Sequence, residues 1–440
     1  MPTSKRIVIN CWGSHGDLLP YIGLALALKA RGHSPVVATP AIYREEVERA
    51  GVEYAHVGPD LDPNDKTLYD RVMDQSRGGE VIVRELLMPK LEETYAQLTA
   101  VSAGADLIVG HPLTASVALV AERTNRPWVS TVLAPMLFFS ATDLPVLPQA
   151  PMLRHASKLG GWAARGVVRF AHRMTKRWFE PVHRLRASLG LPPAGHPMFE
   201  GMFSPTLTLA LFSRVLGSPQ PDWPPHVLTT GFVFYNGPEL ALSQELEEFL
   251  AAGPPPVVFT LGTSAVGAAG SFYHESAAAA ARLGVRAVLL IGSFERNRPS
   301  DLSRDVLVVE RAPHQLLFPR ASAIVIHGGI GTTGQALRSG RPVLVVPHGH
   351  DQFDNAHRIT KLGVARTLHP KHYRAPRVER ELARLLRGDY GARAEAVAEI
   401  VRTEGGAAAA AEAIERCESS TPASSPSLEV PSPSTTRSTQ

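Results

Sequence analysis

Residues 321–357 read ASAIVIHGGIGTTGQALRSGRPVLVVPHGHDQFDNAH, and the parsing of this stretch decides the fold. Ala323 to Ile326 is short, apolar and β-branched, which predicts a buried strand. It runs into His327-Gly328-Gly329-Ile330-Gly331-Thr332-Thr333. Gly334 to Ser339 then reads as a helix with Gly340 past its end, and Pro342 to Val346 as a second buried strand stopped by Pro347. The order is strand, glycine turn, helix, strand. Glycines let backbone N–H groups approach a ligand closely, and the positive end of a helix favours an anion there. The turn therefore reads as a phosphate seat. His350-Asp351-Gln352-Phe353-Asp354-Asn355 gathers acceptors and amides suited to hydroxyl recognition. A phosphate beside a polyol is the chemistry of a nucleotide sugar.

Two other readings stand beside this one. Gly329 to Gly334 fits G-x-G-x-x-G, and Asp351 lies about 20 residues on, as a ribose-binding acid would in a dinucleotide site. Against it, the motif lies far into the chain and the acid sits in a polar cluster. The third reading is a purely structural glycine turn.

Working outward, 440 residues predict two domains with real cores. A net charge of +4 is too small to imply nucleic acid. Two cysteines, Cys11 and Cys417, make no disulfide framework or cysteine metal site. The polar start MPTSKR and the short run after it do not read as a secretory signal. No run of about 18 apolar residues predicts a membrane span, so a cytoplasmic location is expected.

Ile7 to Trp12 reads as the first strand, Tyr21 to Arg31 as a helix and His33 to Thr39 as the next strand, the opening of a parallel doubly wound domain. The loop Gly13-Ser14-His15-Gly16-Asp17 falls at the carboxyl end of its strand, where such sheets bind ligands. Asp17 is the candidate general base for an attacking hydroxyl; the competing reading is a helix-capping aspartate. His15, with an ordinary pKa nearer neutrality, is the second choice. Asp60-Leu61-Asp62 resembles a metal-binding D-x-D but sits in a polar loop. His111 follows the strand Asp106–Val109 and either lines the cleft or has no special role. Met136, Leu137, Phe138 and Phe139 suit the wall of a lipophilic acceptor pocket, or ordinary core. Residues 153–189 read as helical segments dense in Arg and Lys and interleaved with Leu159, Trp162, Val167, Phe170, Trp178, Phe179 and Val182. Such a basic amphipathic helix suits an anionic membrane surface, or is a solvated face. Thr206 to Phe212 reads as the strand that closes the first domain, and the proline-dense residues 217–227 as a connector. Thr263 and Ser264, on a glycine turn after the strand Pro256–Leu261, also suit phosphate.

The 321–357 stretch resembles the donor-binding signature of family 1 nucleotide-sugar glycosyltransferases: His-Gly-Gly, Gly-Thr-Thr, then a proline and Asp-Gln. HDQFDNA is most similar to the bacterial branch containing the rhamnosyltransferase of rhamnolipid synthesis. The resemblance covers roughly residues 5 to 410. It implies the GT-B fold, an α/β architecture of two Rossmann-like parallel-sheet domains facing across a cleft, with the C-terminal helix returning to the first domain. The expected layout is an acceptor domain over 1–216, a connector over 217–238, a donor domain over 239–395, a returning helix over 396–417 and a disordered tail over 418–440. It places His327, Gly328, Gly329, Gly331, Thr332, Thr333, Thr263 and Ser264 around the donor diphosphate. Arg311, Ala312 and His314 fall at the base, and Asp351, Gln352 and Asn355 at the sugar. His111, Met136, Phe138 and Phe139 would line the acceptor pocket.

Where plant-type members carry Gly-His-x-x-Pro, this chain has Gly16-Asp17-Leu18-Leu19-Pro20, so the aspartate replaces the histidine base. No acid follows the strand before His111 to orient that base. Arg311 stands where plant members carry a base-stacking tryptophan, which leaves the base identity open. The resemblance implies an inverting, metal-independent transfer without cofactor, from dTDP-rhamnose or UDP-glucose to a lipophilic hydroxyl such as a lipid, hydroxy-fatty acid, polyketide or sterol. A non-hydrolysing sugar-nucleotide epimerase and a non-catalytic nucleotide-sugar sensor are the alternatives.

Overall fold

The computed structural model describes residues 4–62, 65–237, 241–300 and 302–417. The expected disordered tail lies outside them. The chain forms two parallel sheets. The first contains β1 (Arg6–Asn10), β2 (Ser34–Thr39), β3 (Glu53–His56), β4 (Leu107–Gly110), β5 (Trp128–Val132), β6 (Leu207–Ala210) and β7 (Val227–Thr229) in the order β3-β2-β1-β4-β5-β6-β7. The second contains β8 (Val257–Thr260), β9 (Ala287–Leu290), β10 (Val306–Val309), β11 (Ala323–Ile326), β12 (Val343–Val345) and β13 (Ala365–Thr367) in the order β10-β9-β8-β11-β12-β13. Helices link most of the strands, and every pairing is parallel. Strands covered on both faces read as continuous apolar runs, and Val257–Thr260 and Ala323–Ile326 are buried throughout.

In each sheet the strand order reverses beside the first strand, between β1 and β4 and between β8 and β11. The crevice at such a point is where doubly wound sheets take ligands. Four loops leave the carboxyl ends of these strands: 11–14, 111–115, 261–262 and 327–329.

The structure corrects several expected boundaries. Thr206–Phe212 does not close the first sheet, because β7, from the expected connector, pairs with β6 at the edge. Helix α1 (His15–Ala30) begins before Pro20 and contains it. The helix after β11 starts at Ile330, capped by Gly329, four residues earlier than expected. The single helix expected over 396–417 is two, Tyr390–Thr403 and Gly406–Arg416. The first packs on the helix Ile330–Ser339 and the second on α1, so the chain does return to the first domain. Glu404 fastens the crossing by accepting from Ser213 Oγ (2.9 Å) and Arg214 N (3.0 Å). Arg358 makes a second clamp: its guanidinium is buried, pairs with Asp354 and Asp143 at 2.6 Å each, and donates to the Leu216 carbonyl.

Candidate active site

Gly13 follows β1 with φ +144°, and a β-carbon there would lie 2.5 Å from Asp17 Oδ2. Glycine is therefore what lets the Asp17 side chain fold back over the start of α1. Asp17 Oδ2 accepts from Ser14 N (2.7 Å) and Ser14 Oγ (2.8 Å). Ser14, not Asp17, is thus the N-cap, and Asp17 closes a capping box from the third helical position with one oxygen while the other stays out of it. Asp17 Oδ1 lies 3.6 Å from His111 Nε2. That is beyond hydrogen-bond length, so the influence is chiefly that of a nearby charge or N–H dipole. His111 Nδ1 accepts from Leu113 N at 3.1 Å, which leaves Nε2 as the protonated nitrogen and aims it at the carboxylate. The Tyr21 ring stands edge-on to His111 at 5.7 Å, and its hydroxyl is tied to Thr131.

His111 thus supplies the orienting partner that sequence reading did not find for Asp17. Relative to the plant-type arrangement the two residue types are exchanged: the acid follows the first strand and the imidazole the fourth. Burial alone would raise the Asp17 pKa; His111 and the Ser14 donors outweigh it and hold the carboxyl below its ordinary value. His15 turns elsewhere, its Nε2 lying 2.6 Å from Glu46 Oε2. As second candidate base it is therefore engaged by another carboxylate.

The glycine turn of the second domain faces this loop. A β-carbon on Gly331 would come within 4.0 Å of the Gly16 carbonyl oxygen. Pro20 has no N–H to offer that carbonyl, so its oxygen is available toward the second domain. Asp17 also acts electrostatically on His350 and Asp351. Residues of the first domain complete the junction: Tyr69 lies against Gly267, and Gly78 against His350.

Around the turn, His327 is buried and its ring is wedged against Gly262 and Gly329, where any β-carbon would overlap it. Burial, with His348 and His314 adding, depresses its pKa to about 3. It is a neutral ring at physiological pH, and its Nδ1 is buried without a partner. Gly328 holds φ +94°. Gly331 and Thr332 lie in the first helical turn, where N–H groups have no intrahelical partner. Thr333 belongs to the same turn, but its side chain is fully buried. Thr263 is exposed in the turn after β8; the Ser264 side chain lies outside the described residues.

The expected sugar contacts divide. Asp351 is partly open, and burial, with the Asp17 charge adding, lifts its pKa to about 7 despite the Asn355 hydrogen bond. Asn355 is fully buried, and its Nδ2 donates to the Gly328 carbonyl (3.0 Å) and to Asp351 Oδ2 (2.7 Å). Gln352 is buried too, with Oε1 accepting from His348 N and Gly349 N. Gln352 Oε1 and Asn355 Nδ2 thus help hold the loop together, while Asn355 Oδ1 is buried without a partner. At the expected base site, Arg311 is exposed beside Glu310, Ala312 packs on the core, and His314 stacks on Phe318 at 4.3 Å.

Of the residues expected at the acceptor, His111 borders an apolar pocket and the others lie elsewhere. Phe138 is core, stacked on Trp223 at 3.9 Å. Phe139 packs on Phe199 at 4.5 Å, and Met136 is partly exposed. Neither lines the apolar pocket beneath His111, which is walled instead by Val83, Leu87, Met88, Phe179, Met198 and Met202. Val83 and Leu87 come from an irregular helical turn at 81–87 and Met198 from another at 197–201, whose sequences show no single period, while Phe179 reads from the sequence as part of the basic amphipathic segment. Asp60, of the D-x-D, pairs with His56. Among the described residues no cluster of three or more His, Cys, Asp or Glu is placed to hold a metal ion.

Two Rossmann-like sheets with their switch-point loops meeting across a cleft define the GT-B class of nucleotide-sugar transferases. Comparison with known proteins places the chain within that class. Residues 275–419 match the family model "Erythromycin biosynthesis protein CIII-like, C-terminal domain". O-mycaminosyltylonolide 6-deoxyallosyltransferase of Streptomyces fradiae is 34% identical over 373 residues, 82% of this chain and 84% of that one. Glycosyltransferase GtfC of Amycolatopsis orientalis is 30% identical over 409 residues, 92% of this chain and 96% of that one. Among solved structures, the spinosyn forosaminyltransferase SpnP superposes with TM-score 0.70 at 20% identity, covering 94% of this chain and 99% of that one. The glycosyltransferase VinC in complex with dTDP superposes with TM-score 0.67 at 22% identity, covering 93% and 98%. The chain belongs to the family 1 GT-B glycosyltransferases. It is a nucleotide-sugar glycosyltransferase of the type that decorates antibiotics.

Proposed function

We propose that the protein is an inverting glycosyltransferase that moves a deoxyhexose from a dTDP-sugar to a hydroxyl of an apolar, polyketide-like alcohol, with Asp17 as the base. The observation that carries this reading is the placement of Asp17 Oδ1, 3.6 Å from His111 Nε2, above an apolar pocket and opposite the glycine turn of the second domain. The acceptor hydroxyl gives its proton to Asp17 Oδ1 as its oxygen bonds to C1 of the donor. The C1–O bond to the diphosphate breaks on the opposite face, and configuration at C1 inverts. The leaving diphosphate takes its charge to the free N–H groups of Gly331 and Thr332 at the helix N-terminus, an arrangement of fixed dipoles of the kind that usually dominates catalysis. Neutral His327 braces that turn, with Nδ1 unspent. Asp351 holds a sugar hydroxyl. His111 cannot act as the base in this rotamer, because its protonated nitrogen faces Asp17.

The donor assignment draws on the relatives: one transfers a deoxyallosyl group by its name, and VinC was solved with dTDP. Within it dTDP-rhamnose is the first candidate; UDP-glucose is the alternative donor outside it. The pocket's apolar lining supports the acceptor class. The transfer runs without metal, so chelation by EDTA leaves the rate unchanged. The test is a matrix of nucleotide sugars against apolar alcohols, following nucleoside diphosphate release and reading the product's anomeric configuration by NMR. A product of inverted configuration is expected. Retained configuration overturns the mechanism. An altered sugar nucleotide made without acceptor points to an epimerase, and donor binding with no chemistry to a sensor.

A further inference from the structure

Six of the eight large apolar side chains exposed among the described residues are Met152, Leu153, Leu159, Trp162, Phe170 and Met174. They belong to one short piece of chain, the 3-10 segment Pro151–Leu159 and the helix Gly161–Thr175 that folds against it. Trp162 is 68% exposed, Phe170 63% and Leu159 71%. A monomer seldom leaves such a patch open without a use for it.

The order of residues on the helix is more specific. Positions 162, 166, 170 and 174 are Trp, Gly, Phe and Met; positions 165, 169, 173 and 177 are all Arg. A step of four keeps each set on one face of a helix, and the offset between them lays the two stripes side by side. Arg165, Arg169, Arg173, Lys176 and Arg177 are exposed, and no described carboxylate pairs with them. Residues 151–179 contain seven Arg and Lys and no Asp or Glu, although the whole chain is nearly balanced at 45 against 41.

We propose that this hairpin is a docking surface for an anionic lipid bilayer. Trp162, Phe170, Met174 and Leu159 enter the boundary between headgroups and acyl chains. The arginine stripe lies along the lipid phosphates, its stems on the apolar layer and its guanidiniums at the charged one. The pairing of a purely basic edge with an open apolar edge favours a lipid surface over a protein. Seven cations without one acid would need a correspondingly acidic partner face, whereas an anionic bilayer offers phosphate and hydrocarbon together. Trp178 and Phe179, which the sequence grouped with this surface, turn inward instead, and Phe179 lines the pocket beneath His111. An apolar alcohol dissolved in the bilayer would therefore lie close to the acceptor pocket; that consequence alone rests on the function proposed above.

The vesicle measurement uses the full chain without donor or acceptor, so its failure is distinguishable from failure of the proposed transfer. Co-sedimentation is measured with vesicles of phosphatidylcholine alone and of phosphatidylcholine with an equal share of phosphatidylglycerol, at low and high salt. Binding is expected to the mixed vesicles only, weakening as salt screens it. Each arginine reversed to glutamate should lower partitioning at least about five-fold, so R165E/R169E/R173E should lose about 100-fold. W162S/F170S should lose binding with the charge intact. These side chains are exposed, so thermal midpoints should stay at the wild-type value, which separates lost docking from lost folding. Equal binding to both vesicles, or charge reversal without effect, overturns the proposal. So does a dimer in solution that W162S/F170S converts to monomer, since the patch would then be covered by a second copy. A raised acceptor KM for W162S/F170S in a vesicle-free assay would also overturn it, since the patch would then be part of the acceptor site.

Discussion

His111→Ala should move the acid limb of the pH–rate profile upward without abolishing turnover. In the wild-type protein, burial raises the Asp17 pKa while His111 and Ser14 lower it, and the net value lies below that of an ordinary carboxylate. Removing the imidazole leaves burial opposed only by Ser14. A hydrogen bond to a charged group contributes about 1.5–3 kcal/mol, and one pKa unit corresponds to about 1.4 kcal/mol. The 3.6 Å separation is longer than a hydrogen bond, so the lower end applies and the shift should be about one unit upward. The sign follows: a base works only when ionised, so a higher pKa costs activity on the acid side. Near pH 5 the variant should lose up to about two-fold more kcat/KM than near pH 8, where Asp17 is ionised in both proteins, and the deficit should grow toward about ten-fold as the pH falls below both pKa values. His111→Gln, which can still present an N–H, should restore part of the shift. The assay is kcat/KM for acceptor across that pH range at saturating donor. An acid limb that stays in place, or a loss equal at every pH and as deep as that of Asp17→Asn, would refute the argument and make His111 the base.

Three further outcomes follow from the same geometry. Gly13→Ala forces a β-carbon against Asp17 Oδ2 at a φ of +144°; kcat should fall about 10- to 100-fold with donor KM little changed, and thermal unfolding should show a loss of about 1–3 kcal/mol. Asp351→Asn removes a group that titrates at about 7. As pH rises through that value the wild-type carboxyl ionises beside an anionic donor, so wild-type donor KM should climb while that of the variant stays flat; parallel profiles would clear Asp351 of donor contact. Arg358→Ala strands the buried Asp354 carboxylate and releases Asp143; urea unfolding should lose about 3–5 kcal/mol, and a loss below about 1 kcal/mol would mean that the clamp between the domains matters little.

The fold could be read because its signal is local. Buried strands such as Ala323–Ile326 and Val257–Thr260 announce themselves as apolar runs, and the glycine turn after β11 marks a switch point. What failed was also physical. Pro20 reads as a helix start, yet the helix accepts it by leaving the Gly16 carbonyl without a donor. β7 and β13 have three residues each, too few for a period, and only their sheet neighbours define them. The roles proposed for Asp17, His327 and Asp351 are ones that motif and spacing can suggest. The partnership of Asp17 with His111 joins residues 94 positions apart in the sequence and exists only once β1 and β4 lie side by side. Gln352 and Asn355 show the converse. As residue types they suit hydroxyls, but Gln352 Oε1 and Asn355 Nδ2 also serve the hydrogen bonds of the loop itself. Phe138 suited a pocket equally well until Trp223 was found stacked on it.

The most direct measurement is a paired one on Asp17→Asn: calorimetric titration with the nucleotide-sugar donor, and single-turnover transfer with the acceptor present. Donor affinity should stay within about two-fold of wild type, because the proposed diphosphate seat lies on the opposite domain, while the transfer rate falls by about 10²–10⁴. Transfer at the wild-type rate, or donor affinity lost together with transfer, would contradict a base that stands across the cleft from the donor.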